Sequence, residues 1–261
     1  MNIGDANRVV IKVGSSSLTH SNGRPNFRKI EKLAQVICDL KNLGKQIILV
    51  SSGAIAVGTG RLNLSEKPSE TRFKQAVAAI GQCDLMSIYD KCFSEYGYVT
   101  GQILLTRDVV ENEKRKQNVI NTIDALLELG VVPIINENDS VATDEIEFGD
   151  NDNLSAIVAK LSSSDLLVIM SDIEGYYDSD PRENADAHLL ATVTEVTDEM
   201  IAEAGGSGTA RGTGGMKTKL EAAKFANSNN IDVVIMSCER PQKLYDLFED
   251  RSVGTHFCSK N

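Results

Sequence analysis

The sequence predicts an α/β fold, a three-layer αβα sandwich with a mostly parallel central sheet. Short apolar runs rich in valine and isoleucine recur along the chain, and they are nearly continuous, as in strands that are buried on both faces. Stretches with helical periodicity separate them, and this alternation predicts helices on both faces of one sheet. The strand-like runs are 9–13, 47–50, 103–105, 131–135, 166–170 and 233–236. The helix-like stretches are 27–43, 72–96, 116–129 and 217–229.

The elements also predict where a ligand would bind. In the first helix, apolar residues from Ile30 to Leu40 recur at three- and four-residue spacings, and Gly44 follows as a C-cap. Right-handed crossovers place the carboxyl ends of the strands along one edge of the sheet, where such folds bind their ligands. Polar segments follow four of the predicted strands directly. They are 14–17, 51–54, 136–139 and 171–172.

Composition narrows the class of protein. The 261 residues carry 27 basic and 37 acidic side chains, a net charge of −10, and 41 % of them are hydrophobic. This globular composition excludes a collagen-like or wholly disordered chain. An acidic chain is also poorly suited to nucleic acid or to an anionic membrane, so we expect neither as a partner. The first residues show no signal-peptide core and no apolar run could span a bilayer, which predicts a cytoplasmic protein.

Lys12 is the first residue that suggests chemistry. It lies inside an apolar strand, just before the turn at Gly14, where a lysine is costly unless its ammonium group reaches water or an anion. One interpretation is a side chain that extends to solvent at the strand end. The other is a cation directed at a phosphate, beside backbone N–H groups that Gly14 leaves accessible.

A glycine-rich segment, GTGGMKTK at 212–219, is the second candidate. Glycine N–H groups that lead into a helix N-terminus can bind an anion, and Lys217 and Lys219 follow at once. The segment is not a Walker A loop, because Met216 stands where that motif requires glycine. A flexible loop without a ligand is the alternative.

The third candidate is acidic. Between Lys116 and Lys160 the chain has nine acidic residues and no lysine or arginine. Such a run is commonly a solvated surface. However, 136–139 follows a predicted strand and 149–153 opens an apolar helix, so these side chains could bind an amine or position a lysine. A calcium loop is disfavoured, because Ser155 and Leu161 occupy the positions of its glycine and glutamate.

Together the three candidates suit phosphoryl transfer, which depends on positioning and neutralised charge more than on a covalent nucleophile. The parts of common hydrolases are missing, since the sequence contains no GxSxG motif. None of its three histidines has metal-ligand spacing, so we expect no metal held by protein side chains.

Six segments together resemble the amino acid kinase family, in the family's order and across nearly the whole chain. The pair INEND and FGDNDNLS is most similar to the branch that phosphorylates glutamate. The segments are VIKVGS at 10–15, VSSGAIA at 50–56, INEND at 135–139, FGDNDNLS at 148–155, YDSDPR at 177–182 and GTGGMKTK at 212–219.

The resemblance implies one kinase domain over 1–261, with a glutamate-binding lobe over roughly 1–160 and an ATP-binding lobe over roughly 161–261. It implies transfer of the γ-phosphate of ATP, with Mg²⁺, to the side-chain carboxylate of L-glutamate, the first step of proline biosynthesis. It further implies a homo-oligomer and feedback inhibition by L-proline. The RNA-binding-like (PUA-type) domain of longer relatives is expected to be absent.

Carried over by position, the resemblance implies a role for each matching residue. Lys12 and Lys219 would neutralise the phosphoryl group in transfer, and Asp152 would hold both lysines in place. The residues implied to bind glutamate are Ser52, Asp139 and Asn151. Those implied to bind the nucleotide are Lys12, Ser171, Asp172, Thr213, Gly214, Gly215, Met216, Lys217, Thr218 and Lys219.

Two alternatives remain open at this stage. A different family member would use the same nucleotide site but another carboxylate or carbamate as acceptor. A non-catalytic nucleotide-binding protein on the same fold would need no paired lysines.

Overall fold

The computed structural model describes residues 2–141, 151–181, 184, 186–206 and 215–259. The strands in these ranges are β1 (Arg8–Val13), β2 (Gln46–Ser51), β3 (Thr100–Leu105), β4 (Val132–Glu137), β5 (Leu166–Ser171), β6 (Thr192–Val193), β7 (Asp232–Ser237) and β8 (Thr255–Phe257). The helices are α1 (Ser15–Leu18), α2 (Phe27–Asn42), α3 (Ala54–Arg61), α4 (Thr71–Ser94), α5 (Asp108–Glu111), α6 (Glu113–Glu128), α7 (Asn151–Leu161), α8 (Asp198–Glu203), α9 (Met216–Asn227) and α10 (Lys243–Phe248).

The strands form one sheet in the order β3-β4-β2-β1-β5-β7-β8-β6. Every pairing along it is parallel except β7 with β8, which is antiparallel. β1 lies at the centre, with Lys12 opposite Val50 of β2 and Ile169 of β5. The predicted α/β class with a mostly parallel sheet is therefore confirmed.

Helices cover the sheet on both faces, which explains why its strands are apolar on consecutive residues. On one face Val9 and Ile11 pack in a core with α2, α4 and α10. On the other face Val10 packs in a second core with α6, α7 and α9. Because side chains alternate along a strand, Lys12 points to the same side as Val10, toward α7 and α9.

All six predicted strands and all four predicted helices are present within a few residues of their expected limits. The predictions missed the shorter elements, including α3. Gly58 and Gly60 disfavour a helix there by their backbone entropy. They are tolerated because α3 packs at backbone distance against two neighbours: a Cβ on Gly58 would lie 2.0 Å from the Val77 carbonyl oxygen of α4, and one on Gly60 would lie 2.6 Å from the Gly23 carbonyl carbon.

The carboxyl ends of β1, β2, β4 and β5 meet at one edge of the sheet, and α1, α3 and α7 begin near it. This is the edge at which the sequence predicts a ligand site. None of the helices in the described ranges is both long enough and apolar enough to cross a membrane.

Candidate active site

A buried carboxylate lies between two lysines at this edge. Asp152 Oδ1 lies 2.6 Å from Lys12 Nζ, and Asp152 Oδ2 lies 3.1 Å from Lys219 Nζ. Asp152 is fully buried, and Lys12 and Lys219 retain only 5 % and 4 % of their exposure. The structure therefore joins the end of β1 and the first turns of α7 and α9 through one group of net charge +1, the buried triplet Lys12–Asp152–Lys219.

The charges of the triplet determine its protonation. Burial alone would raise the pKa of Asp152, but the two ammonium groups outweigh that effect and lower it from 3.8 to about 2. A carboxylate in the first turn of α7 also gains from the helix dipole. Thr218 Oγ1 donates to Asp152 Oδ2 at 3.0 Å, the oxygen that Lys219 also contacts. Asp152 is thus ionised at neutral pH.

Beside the triplet lies a cluster of amides. Asn151, the residue before Asp152, donates from Nδ2 to Ser52 Oγ at 2.8 Å, to the Ser51 carbonyl at 3.1 Å and to Asn136 Oδ1 at 2.9 Å. Asn136 in turn donates from Nδ2 to Gln82 Oε1 at 2.8 Å. This amide cluster connects the ends of β2 and β4, the start of α7 and the middle of α4.

Ser52 and Asn151, two of the residues predicted to bind the acceptor, are therefore in direct contact. The third, Asp139, is half-buried in the turn that follows β4. Gly53 allows the sharp turn after Ser52, because its φ of +103° lies in the left-handed region that favours glycine. A Cβ there would still be 3.7 Å from Ser15, so backbone conformation rather than crowding requires glycine.

A cavity of about 470 Å³ opens next to Lys219. Ser171 and Asp172 line it, with Ser171 Oγ donating to Asp172 Oδ1 at 2.9 Å. Gly215 and Met216, at the start of α9, also line it. Five residues predicted to bind the nucleotide thus line one cavity. Lys219 is one of them, and it connects the cavity to the triplet.

The remaining predicted nucleotide residues lie elsewhere. Lys12 and Thr218 contact Asp152 rather than line the cavity. Lys217 is half-exposed and pairs weakly with Glu221, its Nζ 3.9 Å from the carboxylate. Thr213 and Gly214 lie outside the described residues.

Several neighbours of the site carry no signal in the sequence that would have identified them. Tyr176 and Tyr177 line the cavity, although only the second lies in a recognised segment. Asn136 was inside the INEND motif without a role. Gln82 lies on α4, 54 positions from Asn136, where no local pattern sets it apart.

Comparison with known proteins gives consistent results. A sequence model of the amino acid kinase family matches residues 7–237. A glutamate 5-kinase of Clostridium perfringens is 56 % identical over 260 residues, which cover 98 % of this chain and 97 % of that protein. Glutamate 5-kinases of Clostridium acetobutylicum and Listeria innocua are 51 % and 49 % identical, covering 99 % and 98 % of this chain and 97 % and 94 % of their own.

Solved structures resemble the fold at much lower identity. A UMP kinase from Bacillus anthracis superimposes with a TM-score of 0.66 at 14 % identity, over 98 % of this chain and 97 % of that one. An isopentenyl phosphate kinase from T. acidophilum gives a TM-score of 0.65 at 16 % identity, over 96 % and 99 %. Their acceptors differ, so these similarities concern the fold alone.

The triplet predicts a pH-dependent contribution to stability. Asp152→Asn leaves two buried ammonium groups without a carboxylate, so we expect the free energy of unfolding at pH 7 to fall by ~3–5 kcal/mol. The folded pKa of Asp152 is below its usual value, so the carboxylate contributes fully above about pH 4 and less as the pH falls toward 2. The difference between wild type and variant should shrink over that interval.

Urea unfolding at several pH values would measure this. The matched control is Asp198→Asn, which removes the partner of Lys224 at the same 2.6 Å distance but on the surface. We expect that control to lose less than ~1 kcal/mol. Equal losses in both variants would contradict the special position of Asp152.

Proposed function

The chain belongs to the amino acid kinase family, and from this we infer that it uses ATP to phosphorylate the side-chain carboxylate of L-glutamate. The products are L-glutamyl 5-phosphate and ADP, which makes the reaction the first step of proline biosynthesis. The observation that carries the inference is the near full-length identity of 49–56 % to glutamate 5-kinases. The site geometry supplies a physical account of the reaction.

We propose that Asn151 and Asp152 connect the two halves of the site. Consecutive residues of a helix point about 100° apart, and these two lie side by side at the start of α7. Asn151 reaches the amide cluster, whereas Asp152 reaches the lysines. An acceptor bound at Ser52 and Asn151 would therefore lie close to the triplet, with ATP entering from the cavity beside Lys219.

The polarity of the amide cluster suits an amino acid. Nδ2 of Asn151 already donates to three protein acceptors, so we propose that its Oδ1 accepts from the ligand, which requires a donor such as an ammonium group. Asp139 is a second candidate for that ammonium group. Ser52 Oγ accepts from Asn151 and can direct its own proton to a carboxylate. We propose that these three residues bind the α-amino and α-carboxyl groups of glutamate.

The reaction needs no general base in this arrangement. A glutamate side chain has a pKa of about 4.3, so it is already ionised at neutral pH and can attack phosphorus directly. Asp152 is unsuited to proton transfer, because its pKa is about 2 and both oxygens contact ammonium groups. We propose that it instead holds Lys12 and Lys219 in position.

Lys12 and Lys219 would then act electrostatically. The transferred phosphoryl group spreads negative charge over its oxygens, and fixed cations in a dry site stabilise that charge without reorganising. The start of α9 adds backbone N–H groups, since no side chain of the described residues caps it after Gly215. The proposed direct transfer needs no covalent intermediate on the protein.

The described side chains favour magnesium bound through the nucleotide. Within the described ranges, no three histidine, cysteine, aspartate or glutamate side chains gather closely enough to hold a metal ion. We therefore propose that Mg²⁺ would be bound by the ATP phosphates, where it would neutralise their charge. We also propose that the enzyme is cytoplasmic and that it self-associates. Sedimentation analysis of the purified protein would test the self-association.

An acceptor panel tests the proposed function. We expect ADP release from ATP and Mg²⁺ with L-glutamate, and formation of a hydroxamate when hydroxylamine traps the acyl phosphate. L-Aspartate, N-acetyl-L-glutamate, carbamate and UMP serve as competing acceptors. Turnover on one of those instead would keep the nucleotide site and overturn the assignment of Ser52, Asp139 and Asn151. ATP binding without any turnover would indicate a non-catalytic protein.

Removing one lysine should separate catalysis from binding. Lys219→Ala should lower kcat by ~10²–10³-fold, because its charge is needed most when the phosphoryl group is in transfer. The Kd for ATP should rise much less. Steady-state kinetics and calorimetry would measure the two quantities, with Lys224→Ala, a half-exposed lysine on the same helix, as control. Equal losses in kcat and ATP affinity would mean that Lys219 binds the nucleotide without further stabilising the transition state.

We propose, from the resemblance, that L-proline inhibits the enzyme. Proline shares the α-carboxylate and a cationic amine with glutamate, so the groups proposed to bind glutamate could bind it too. Glutamate-dependent activity should fall as proline rises through the millimolar range. Full activity throughout that titration would exclude the proposal.

A further inference from the structure

Gln82, on α4, belongs to the amide cluster through its hydrogen bond with Asn136. We propose that Gln82 is a positioning residue for the acceptor, which fixes the orientation of the Asn136 amide and through it that of Asn151. The inference rests on the proposed function only for the identity of the acceptor. It concerns a side chain that would not itself touch the substrate.

The hydrogen bonds around Asn136 are consistent with one orientation of its amide. Its Oδ1 accepts from Asn151 Nδ2 at 2.9 Å and from the Glu137 backbone N–H, also at 2.9 Å. Its Nδ2 donates to Gln82 Oε1 at 2.8 Å. If the amide were turned over, its NH₂ group would face two donors and its oxygen would take the place of the group that Gln82 accepts from. Gln82 thus supplies the acceptor that favours the observed orientation.

That orientation reaches the ligand through Asn151. Asn136 Oδ1 is one of three acceptors around the Asn151 NH₂ group, together with Ser52 Oγ and the Ser51 carbonyl. These three acceptors fix the orientation of the Asn151 side-chain amide. A turned Asn136 would present a donor to that NH₂ group, and leaving buried polar groups mismatched costs ~1–3 kcal/mol.

The position of Gln82 is itself fixed by helix packing. The preceding Gly81 lets α4 approach α3 so closely that a Cβ would lie 1.8 Å from the Ala54 carbonyl oxygen. α3 begins directly after the Ser52–Gly53 turn. Tyr89, about two turns further along α4, holds the end of β2 through a 2.9 Å hydrogen bond to Ser51 Oγ. α4 therefore supports the acceptor side of the site at two points.

The phosphoryl side has separate support. Asp152 is held by Lys12, Lys219 and Thr218, none of which bonds to Gln82 or Asn136 in the contacts described. Loss of the Gln82 acceptor should consequently weaken glutamate binding without a matching change in nucleotide binding. A merely structural role would not separate the two substrates.

The experiment compares Gln82→Met, which keeps length and helix propensity but removes the acceptor, with Gln82→Glu, which keeps it. We expect the KM for glutamate to rise roughly tenfold in Gln82→Met, as for the loss of one partly buried hydrogen bond. The KM for ATP and kcat should stay within twofold. Gln82→Glu should recover most of the glutamate affinity. Gln82→Ala is the second variant should methionine impair folding, and exposed Gln102→Leu on β3 is the control.

A double-mutant cycle with Asn136→Ala tests the route. If Gln82 acts through Asn136, Gln82→Met should have little further effect once Asn136 is alanine. Additive effects would overturn the proposal, as would an unchanged KM for glutamate or equal rises for both substrates.

A readout without turnover separates this proposal from the proposed function. The side-chain NH₂ resonances of Asn136 and Asn151 in ¹⁵N-labelled protein should be shifted and slow to exchange in wild type and in Gln82→Glu. In Gln82→Met those of Asn136 should move toward solvent-exposed values. Unchanged resonances would overturn the positioning role, whichever acceptor the wild-type enzyme turns over.

Discussion

The structure around the site depends on one interaction, the carboxylate of Asp152 held between Lys12 and Lys219. Three segments far apart in sequence must converge to make it: the end of β1, the start of α7 and the start of α9. With the carboxylate in place, two ammonium groups can be fixed side by side in a nearly dry site. Without it, mutual repulsion and desolvation would drive both lysines toward solvent or neutrality.

The sheet makes this convergence possible by alternation. Lys12 points to the side of α7 and α9, whereas Ser51 and Asn136 point to the side of α4, where Tyr89 and Gln82 bond to them. The start of α7 lies across the sheet edge and connects both sides. A parallel sheet with covered faces thus separates the two proposed functions, charge neutralisation on one side and acceptor recognition on the other, while keeping them adjacent.

Local sequence patterns predict the long strands and the first residue of the site. Continuous apolar runs predict the six longer strands. A lysine within such a run is unusual, and this marks Lys12 as a candidate site residue. Local patterns could not predict Gln82, because the Asn136 contact spans 54 positions and an α4 glutamine is ordinary on its own. The short helix α3 was not predicted either, because its glycines oppose a helix locally and are tolerated through close packing, Gly58 on α4 and Gly60 on the backbone at Gly23 and Arg24. The antiparallel β8 is three residues long, too short for a periodic signal.

The triplet is a poor device for stability alone. Replacing a buried ion pair by well-packed apolar side chains is often neutral or stabilising, so three buried charges are not explained by folding. Their net charge of +1 is best compensated when an anion enters beside them, and compensation is strongest when that anion carries most charge. A phosphoryl group in transfer meets this condition, while it lies between the carboxylate oxygen of the acceptor and the β-phosphate oxygen of the leaving ADP. The energetic cost of burying the lysines in the free protein is therefore the same feature that would make the site favour the transition state over either substrate.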